Sequence, residues 1–367
     1  MRTVGVEEEL LIVDPETGAA RGLAAEVIAL ANHDGAIDGA VEGELQQQQV
    51  EIASSPHHEL ADLAADLTAQ RAAAIEAATR RGVALIALGT YPASVQATPS
   101  PDRRYRRLVG RLGLPAREQL TCGTHVHVEI EDAAEGVAVL DRIRPWLPIL
   151  LAVSANSPFW QEEDTGFASF RHEAWGRFPS AGPTEIFGTA DAYERAVEAL
   201  VATDALLDRG MVYFDARLSA TFPTVEIRVA DVCVHAEDAV LIASLARGLV
   251  LTAAREWRDG VGPDPVRLEM LRVAHWTAAR WGLDGDLLDP QSWRPVPARR
   301  AADLLLSHLT DALNETEDLP LVRALLDTVL TRGTGARWQR EQLEAGSGWA
   351  DLVRAAAAMT AKPIRLR

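Results

Sequence analysis

The chain has 367 residues, 48% of them hydrophobic, with two cysteines and a net charge of −17. That is ample for a large core, and so acidic a balance argues against a general nucleic-acid binder. Cys122 and Cys233 are too few for a disulfide framework, and with no signal-like N-terminal segment the expected compartment is a reducing cytoplasm.

The only lysine is Lys362. Lysine Schiff-base chemistry is therefore not expected, and no G-x-x-x-x-G-K-[ST] string is present. Any phosphate handling falls to arginine and metal ions.

TVGVEEELLIVD (3–14) reads as a strand closed by DPETG, and ELQQQQVEIASSP (44–56) as a strand ended by Ser-Ser-Pro. An alanine-rich amphipathic helix follows to Gly82, then VALIALGTYP as a buried strand and a proline-rich loop over 91–102. RRYRRLVGR (103–111) reads either as a solvated helical face or as a cationic edge facing phosphates. TCGTHVHVEI (121–130) is a strand, and 135–155 a helix interrupted near Pro145 and Pro148. Its apolar PWLPILLAVSAN stretch is too short for a membrane span. The long aromatic segment 156–183 lacks periodicity, which is expected of a segment that covers or lines a site. A helix over about 190–205 and a strand pair joined around Thr221-Phe222-Pro223 come next. From about 237 the chain reads as nearly all helical, and its apolar helix faces are compatible with a homodimer. The expected architecture is a single α+β domain, 1–367, with a mostly antiparallel sheet and a helical C-terminal extension over about 300–367.

Four strands share one pattern. Side chains alternate across a strand, so His125, His127 and Glu129 share a face, as do Glu7 with Glu9, and Gln47 with Gln49 and Glu51. Glu226 and Arg228 share one too, with Val225, Ile227 and Val229 opposite. Glu8 is turned away from its neighbours, and its replacement by Gln is expected to be mild. If the polar faces converge, carboxylates and imidazole crowd one cavity, and cations must sit among them. Oxygen-rich donors with few nitrogens favour Mg²⁺ or Mn²⁺. The H-x-H pair also admits a metal-dependent hydrolase built on His125, His127 and nearby carboxylates. His125 is expected to face the cavity and touch a metal or a phosphate oxygen. Cys122 and Cys233 read as inert core residues.

VGVEEELLIVD, ELQQQQVEIASS, CGTHVHV, SANSPFW–DTGFASFR–WGRFP and TVEIRVADVC together resemble the carboxylate–amine ligases called glutamate–cysteine ligase type 2. The resemblance runs from about residue 3 to residue 290. It implies a glutamine-synthetase-like fold, in which a curved antiparallel sheet forms a funnel with helices outside. It further implies ATP-dependent amide formation through an acyl phosphate, from the γ-carboxylate of glutamate and the amine of cysteine, with Mg²⁺ bridging phosphates and funnel carboxylates. Carried over by motif, Glu7, Glu9, Glu51, His125 and Glu226 are implied metal ligands, with His125 also near the nucleotide. Arg228 is implied to meet the transferring phosphate, Glu44 to mark the acidic mouth of the second strand, and Arg171 to contact a substrate carboxylate. The expected partners are small amino-acid substrates, not a nucleic acid or a membrane.

Overall fold

The computed structural model describes residues 1–33 and 41–366. Its strands are β1 (Val4–Val13), β2 (Val41–Gly43), β3 (Gln49–Ala53), β4 (Ala84–Ile86), β5 (Gly123–Glu129), β6 (Phe159–Trp160), β7 (Glu163–Asp164), β8 (Ala216–Leu218), β9 (Thr224–Asp231), β10 (Asp286–Leu288) and β11 (Pro295–Pro297). Its helices are α1 (Ala24–His33), α2 (Leu60–Arg80), α3 (Arg103–Leu112), α4 (Leu114–Glu118), α5 (Ala133–Ile143), α6 (Leu147–Ser154) and α7 (Phe170–Trp175). They continue with α8 (Ala190–Ala202), α9 (Ala236–Arg258), α10 (Leu268–Trp281), α11 (Ala298–Glu315), α12 (Leu319–Arg332), α13 (Gly335–Glu344) and α14 (Trp349–Thr360).

Seven strands form one antiparallel sheet in the order β2-β3-β1-β5-β9-β8, with β4 also on β1. β1 is its spine. One edge pairs with β3; the other is divided between β5 along Val4–Glu8 and β4 along Leu11–Val13. That division limits β4 to three residues, so the strand expected over VALIALGTYP is cut short and the chain beyond Ile86 leaves the ladder. β3 likewise starts at Gln49, and Gln47 lies outside it, its amide donating to the Pro99 carbonyl at 3.0 Å.

Helices cover the back of the sheet. α9 is buried along almost its whole length, as an apolar-all-round helix must be, and it packs with α2 against β1 and with α5, α11 and α12 on its other sides. α6 is buried at every residue, which accounts for the most apolar stretch of the sequence. α14 is tied to the sheet edge by Thr360, whose hydroxyl accepts from the Ala87 amide at 2.9 Å. The C-terminal region is not wholly helical, because β10 and β11 pair as a short ribbon. No helix among the described residues is long and apolar enough to cross a membrane.

Glu8 does face away from Glu7 and Glu9, as parity requires, but it does not meet solvent. It is fully buried and takes a two-pronged ion pair from Arg71 of α2, at 2.7 Å from Nε and 2.6 Å from Nη2. The expected parity holds, but the expectation of a mild substitution does not include this pair: an amide there leaves a buried guanidinium without its counter-charge. Glu8→Gln should lower unfolding free energy by about 3 kcal/mol, read from urea denaturation. A loss below about 0.5 kcal/mol, the usual range for surface changes, would contradict a structural role for the pair.

Candidate active site

Register brings the polar positions together. Glu9 lies opposite Glu51, Glu7 opposite His125, and His127 opposite Glu226, which is in turn opposite Arg217. Directly opposed residues of antiparallel strands share a face, so one polar band crosses β3, β1, β5, β9 and β8. A β-bulge sits at its centre, where the β5–β9 register shifts between Thr124 and Val126 and sets Arg228 beside His125.

The band floors a cavity of about 310 Å³ lined by Glu7, Glu9, Glu51, His125, His127, Glu226 and Arg228. Glu44 joins it from the loop between β2 and β3. α3 supplies Arg104, Tyr105 and Leu108 to one wall, and Trp175, Phe178 and Tyr213 form a packed aromatic cluster on another. The long segment after α6 thus lines the site, as its lack of periodicity suggested.

The carboxylates are electrostatically unequal. Burial works against ionising Glu7, but hydrogen bonds from His125 and His127 hold it well below the usual carboxylate range. His125 Nδ1 is 3.3 Å from Glu7 Oε2 and His127 Nε2 is 3.2 Å from Glu7 Oε1. Glu226 is also buried, and Arg228 and Arg217 together keep it low. Arg217 forks onto it at 2.7 and 3.1 Å, and Arg228 bonds it from the same strand. By contrast, burial and the neighbouring Glu44 push Glu9 up to about 7. Burial raises Glu44, and burial with Glu44, Glu7 and Glu9 around it raises Glu51 well above the normal range. Burial and Arg228 hold His125 down at about 4.

That pattern fits divalent cations. Three groups of donor atoms each lie within 4.8 Å of one another: Glu7 with His127 and Glu226, Glu7 with Glu51 and His125, and Glu9 with Glu44 and Glu51. The buried Nε2 of His125 has no hydrogen-bond partner and that of His127 faces only the Glu7 carboxylate, so either nitrogen can serve as a ligand. Each group is mostly oxygen, a donor set suited to Mg²⁺ or Mn²⁺. The two histidines fall in different groups, and none among the described residues has the nitrogen-rich character of a zinc hydrolase site.

Arg171 is not brought to the cavity. It is 4% exposed on α7, 3.9 Å from Asp231, with Nη2 donating to the Arg228 carbonyl at 3.4 Å. A Cβ on residue 123 would collide with its guanidinium, so Gly123 is needed for this close approach. Arg171 therefore does not line the cavity, though its charge acts on Glu9 from behind Gly123. The basic stretch at 103–111 divides in the same structural way. Arg104 turns to the cavity and pairs with Asp208 at 2.8 and 2.9 Å, whereas Arg103, Arg106 and Arg107 are exposed. Arg217 went unread in the sequence, although folding the strand pair about residues 221 and 222 sets it across from Glu226.

The same fold is found in solved structures. A glutamate–cysteine ligase from Francisella tularensis, solved in complex with AMP, aligns over 98% of this chain and 88% of its own, with a TM-score of 0.71 at 13% identity. A bifunctional glutathione synthetase from Pasteurella multocida aligns over 98% of this chain and 52% of its own, with a TM-score of 0.70 at 16% identity. In sequence, the family model described as glutamate–cysteine ligase family 2 (GCS2) matches residues 3–358. A Streptomyces avermitilis protein provisionally named glutamate–cysteine ligase 2-1 is 50% identical across 96% of this chain and 98% of its own. A Streptomyces coelicolor protein provisionally named glutamate–cysteine ligase 2 is 49% identical across 94% of each. The chain belongs to glutamate–cysteine ligase family 2.

Mn²⁺ titrations followed by electron paramagnetic resonance should show saturable binding to the wild type. Glu51→Gln, which removes a donor from two of the three groups, should weaken it by roughly tenfold or more, the scale seen even for outer-shell partners. Equal affinity in both proteins would remove Glu51 from the ligand set.

Proposed function

We propose that the protein is an ATP-dependent carboxylate–amine ligase that joins the γ-carboxylate of glutamate to the amine of cysteine in the cytoplasm. The observation that carries this reading is the polar band itself, in which three oxygen-rich donor groups adjoin Arg228 on one cavity floor. Membership of the family supports the ligase class.

A carboxylate at neutral pH is a poor acylating agent until one oxygen becomes a leaving group. A γ-carboxylate oxygen attacks the terminal phosphorus of ATP, the bond from that phosphorus to the bridging oxygen breaks, and ADP departs with the electron pair. The amine nitrogen then attacks the acyl carbon of the resulting acyl phosphate. The carbon–oxygen bond to phosphate breaks, inorganic phosphate leaves, and the nitrogen gives up a proton.

The residues supply charge and placement. Magnesium, when bound, would neutralise the nucleotide phosphates against Glu7, Glu9, Glu51 and Glu226, with His125 and His127 completing its ligands. Arg228, on the cavity floor beside His125, would supply an equatorial cation to a transferring phosphoryl group, and phosphoryl transfer depends largely on such stabilisation. Arg217 holds the Glu226 carboxylate in a fixed plane through its fork. Trp175, Phe178 and Tyr213 give the cavity an aromatic wall, which would limit the water reaching an acyl phosphate. No nucleophilic side chain is required.

ADP release in the presence of ATP, Mg²⁺ and glutamate should depend on cysteine and yield γ-glutamylcysteine. Release with a different amine keeps the reaction class and replaces cysteine as substrate; an absence of ATP binding sinks the ligase reading. In the active enzyme Arg228→Lys should lower kcat by roughly a hundredfold, the range for losing one transition-state donor, with little change in KM. A pure KM effect would instead assign Arg228 to ground-state binding.

A further inference from the structure

We infer that a second cavity, separate from the catalytic one, binds a free α-amino acid with an apolar side chain. It has a volume of about 420 Å³ and lies between α7, the 181–183 segment and α10. His172, Glu173, Arg272, Val273, His275 and Trp276 line it, and none of them lines the catalytic cavity.

His275 is held by the Leu271 carbonyl and Asp215, but three other polar groups of the lining make no side-chain hydrogen bond or ion pair among the described residues. Glu173 is part-buried and has no hydrogen bond or ion pair from its side chain among the described residues, and burial raises its pKa. His172 stacks on the buried His275, with ring centroids 5.5 Å apart and planes 16° from parallel, while neither of its nitrogens is hydrogen-bonded among the described residues. Arg272 is exposed and makes no hydrogen bond or ion pair there. A desolvated carboxylate without a cation is costly to keep, and the natural complement of Glu173 is an ammonium group. Arg272 complements a carboxylate. Val273 and Trp276, 51% and 47% exposed, offer the apolar surface that a hydrophobic side chain would cover. A free amino acid carries these three features together, and the volume is within the range of small-molecule sites. A nucleotide would bring several negative charges against Glu173.

The cavity also shares a wall with the catalytic strand. Gly182 lines it, and the Gly182 carbonyl accepts from the Asp215 amide at 3.0 Å. The Asp215 carbonyl accepts in turn from the Arg228 amide at 2.8 Å, and His275 Nε2 is 3.1 Å from the Asp215 carboxylate. A ligand that shifts this wall has a hydrogen-bonded route to Arg228.

The test is calorimetric titration of the intact protein with L-phenylalanine, phenethylamine and 3-phenylpropionate. Phenylalanine should bind saturably with a Kd on the order of 1 mM or tighter. Each analogue, lacking one charge, should bind at least about tenfold more weakly, as should phenylalanine to Glu173→Gln and to Arg272→Gln. Both variants should keep wild-type ADP release without phenylalanine. Absence of saturable binding overturns the site, as does binding that both variants retain, because the ligand then lies elsewhere. A dimer dissociated by Trp276→Glu, together with no uptake of phenylalanine, overturns it in favour of a subunit contact. Binding is independent of the ligase reading. The link to Arg228 rests on that reading, and ADP release unaltered by saturating phenylalanine overturns the link alone.

Discussion

Mutual repulsion among Glu7, Glu9, Glu44, Glu51 and Glu226 is the constraint around which the sheet is organised. Carboxylates this close cannot all ionise in a partly dry cavity unless positive charge stands among them. The chain provides part of that charge unevenly. Arg217 and Arg228 converge on Glu226, and the histidines hydrogen-bond Glu7, so both stay ionised. Glu9, Glu44 and Glu51 have no comparable partner and are pushed upward. The deficit is concentrated at one end of the cavity, where three carboxylates converge without a nitrogen ligand. A metal ion bound there would remove the penalty, and the same cation would attract a polyphosphate to a chain whose net charge is −17.

Such a face has to be held rigid from behind, because ligand positions tolerate little drift. β1 carries Glu7 and Glu9 forward and Glu8 backward, and the Glu8–Arg71 pair fixes α2 to the rear of the same strand. Val4, Val6, Val126, Val128, Val225 and Ile227 belong to a core cluster that also takes in α9 residues. The alternation that delivers carboxylates to the cavity therefore also delivers valines to the core. A one-residue slip of β1 would exchange the two sets and fail on both faces.

This coupling explains why much of the site was legible in the sequence. Each strand announces its polar face through its own apolar neighbours, so Glu7, Glu9, Glu51, His125, Glu226 and Arg228 could be placed on cavity-facing positions separately. What alternation does not encode is which strand lies beside which. Arg71 is distant from Glu8 in sequence, and nothing in either segment reveals the pair. Arg217 sits in a strand of three residues, too short to show a pattern. The shortening of β4 depends on β5 occupying the same edge of β1, which is a property of the assembled sheet.

Arg171 shows the limit most clearly, because the bulge decides its position. Without the bulge, alternation along β9 would turn Asp231 away from the face of Glu226 and Arg228. The register shift reverses the parity, and Asp231 pairs across from Gly123, on the face that carries His125. There it accepts from the Asn156 amide and from the hydroxyls of Ser157 and Ser169, at 2.8, 2.7 and 2.8 Å. Such a buried carboxylate calls for a nearby cation, and Arg171 lies over the bare backbone of Gly123 to supply it. The Asn-Ser and Ser-x-Arg elements of the long aromatic segment thereby form a closed floor beneath Glu9, whose carboxylate accepts from the Gly123 amide at 2.5 Å. An arginine that reads in sequence as a substrate clamp thus stands 3.9 Å from the protein's own aspartate, outside the cavity lining.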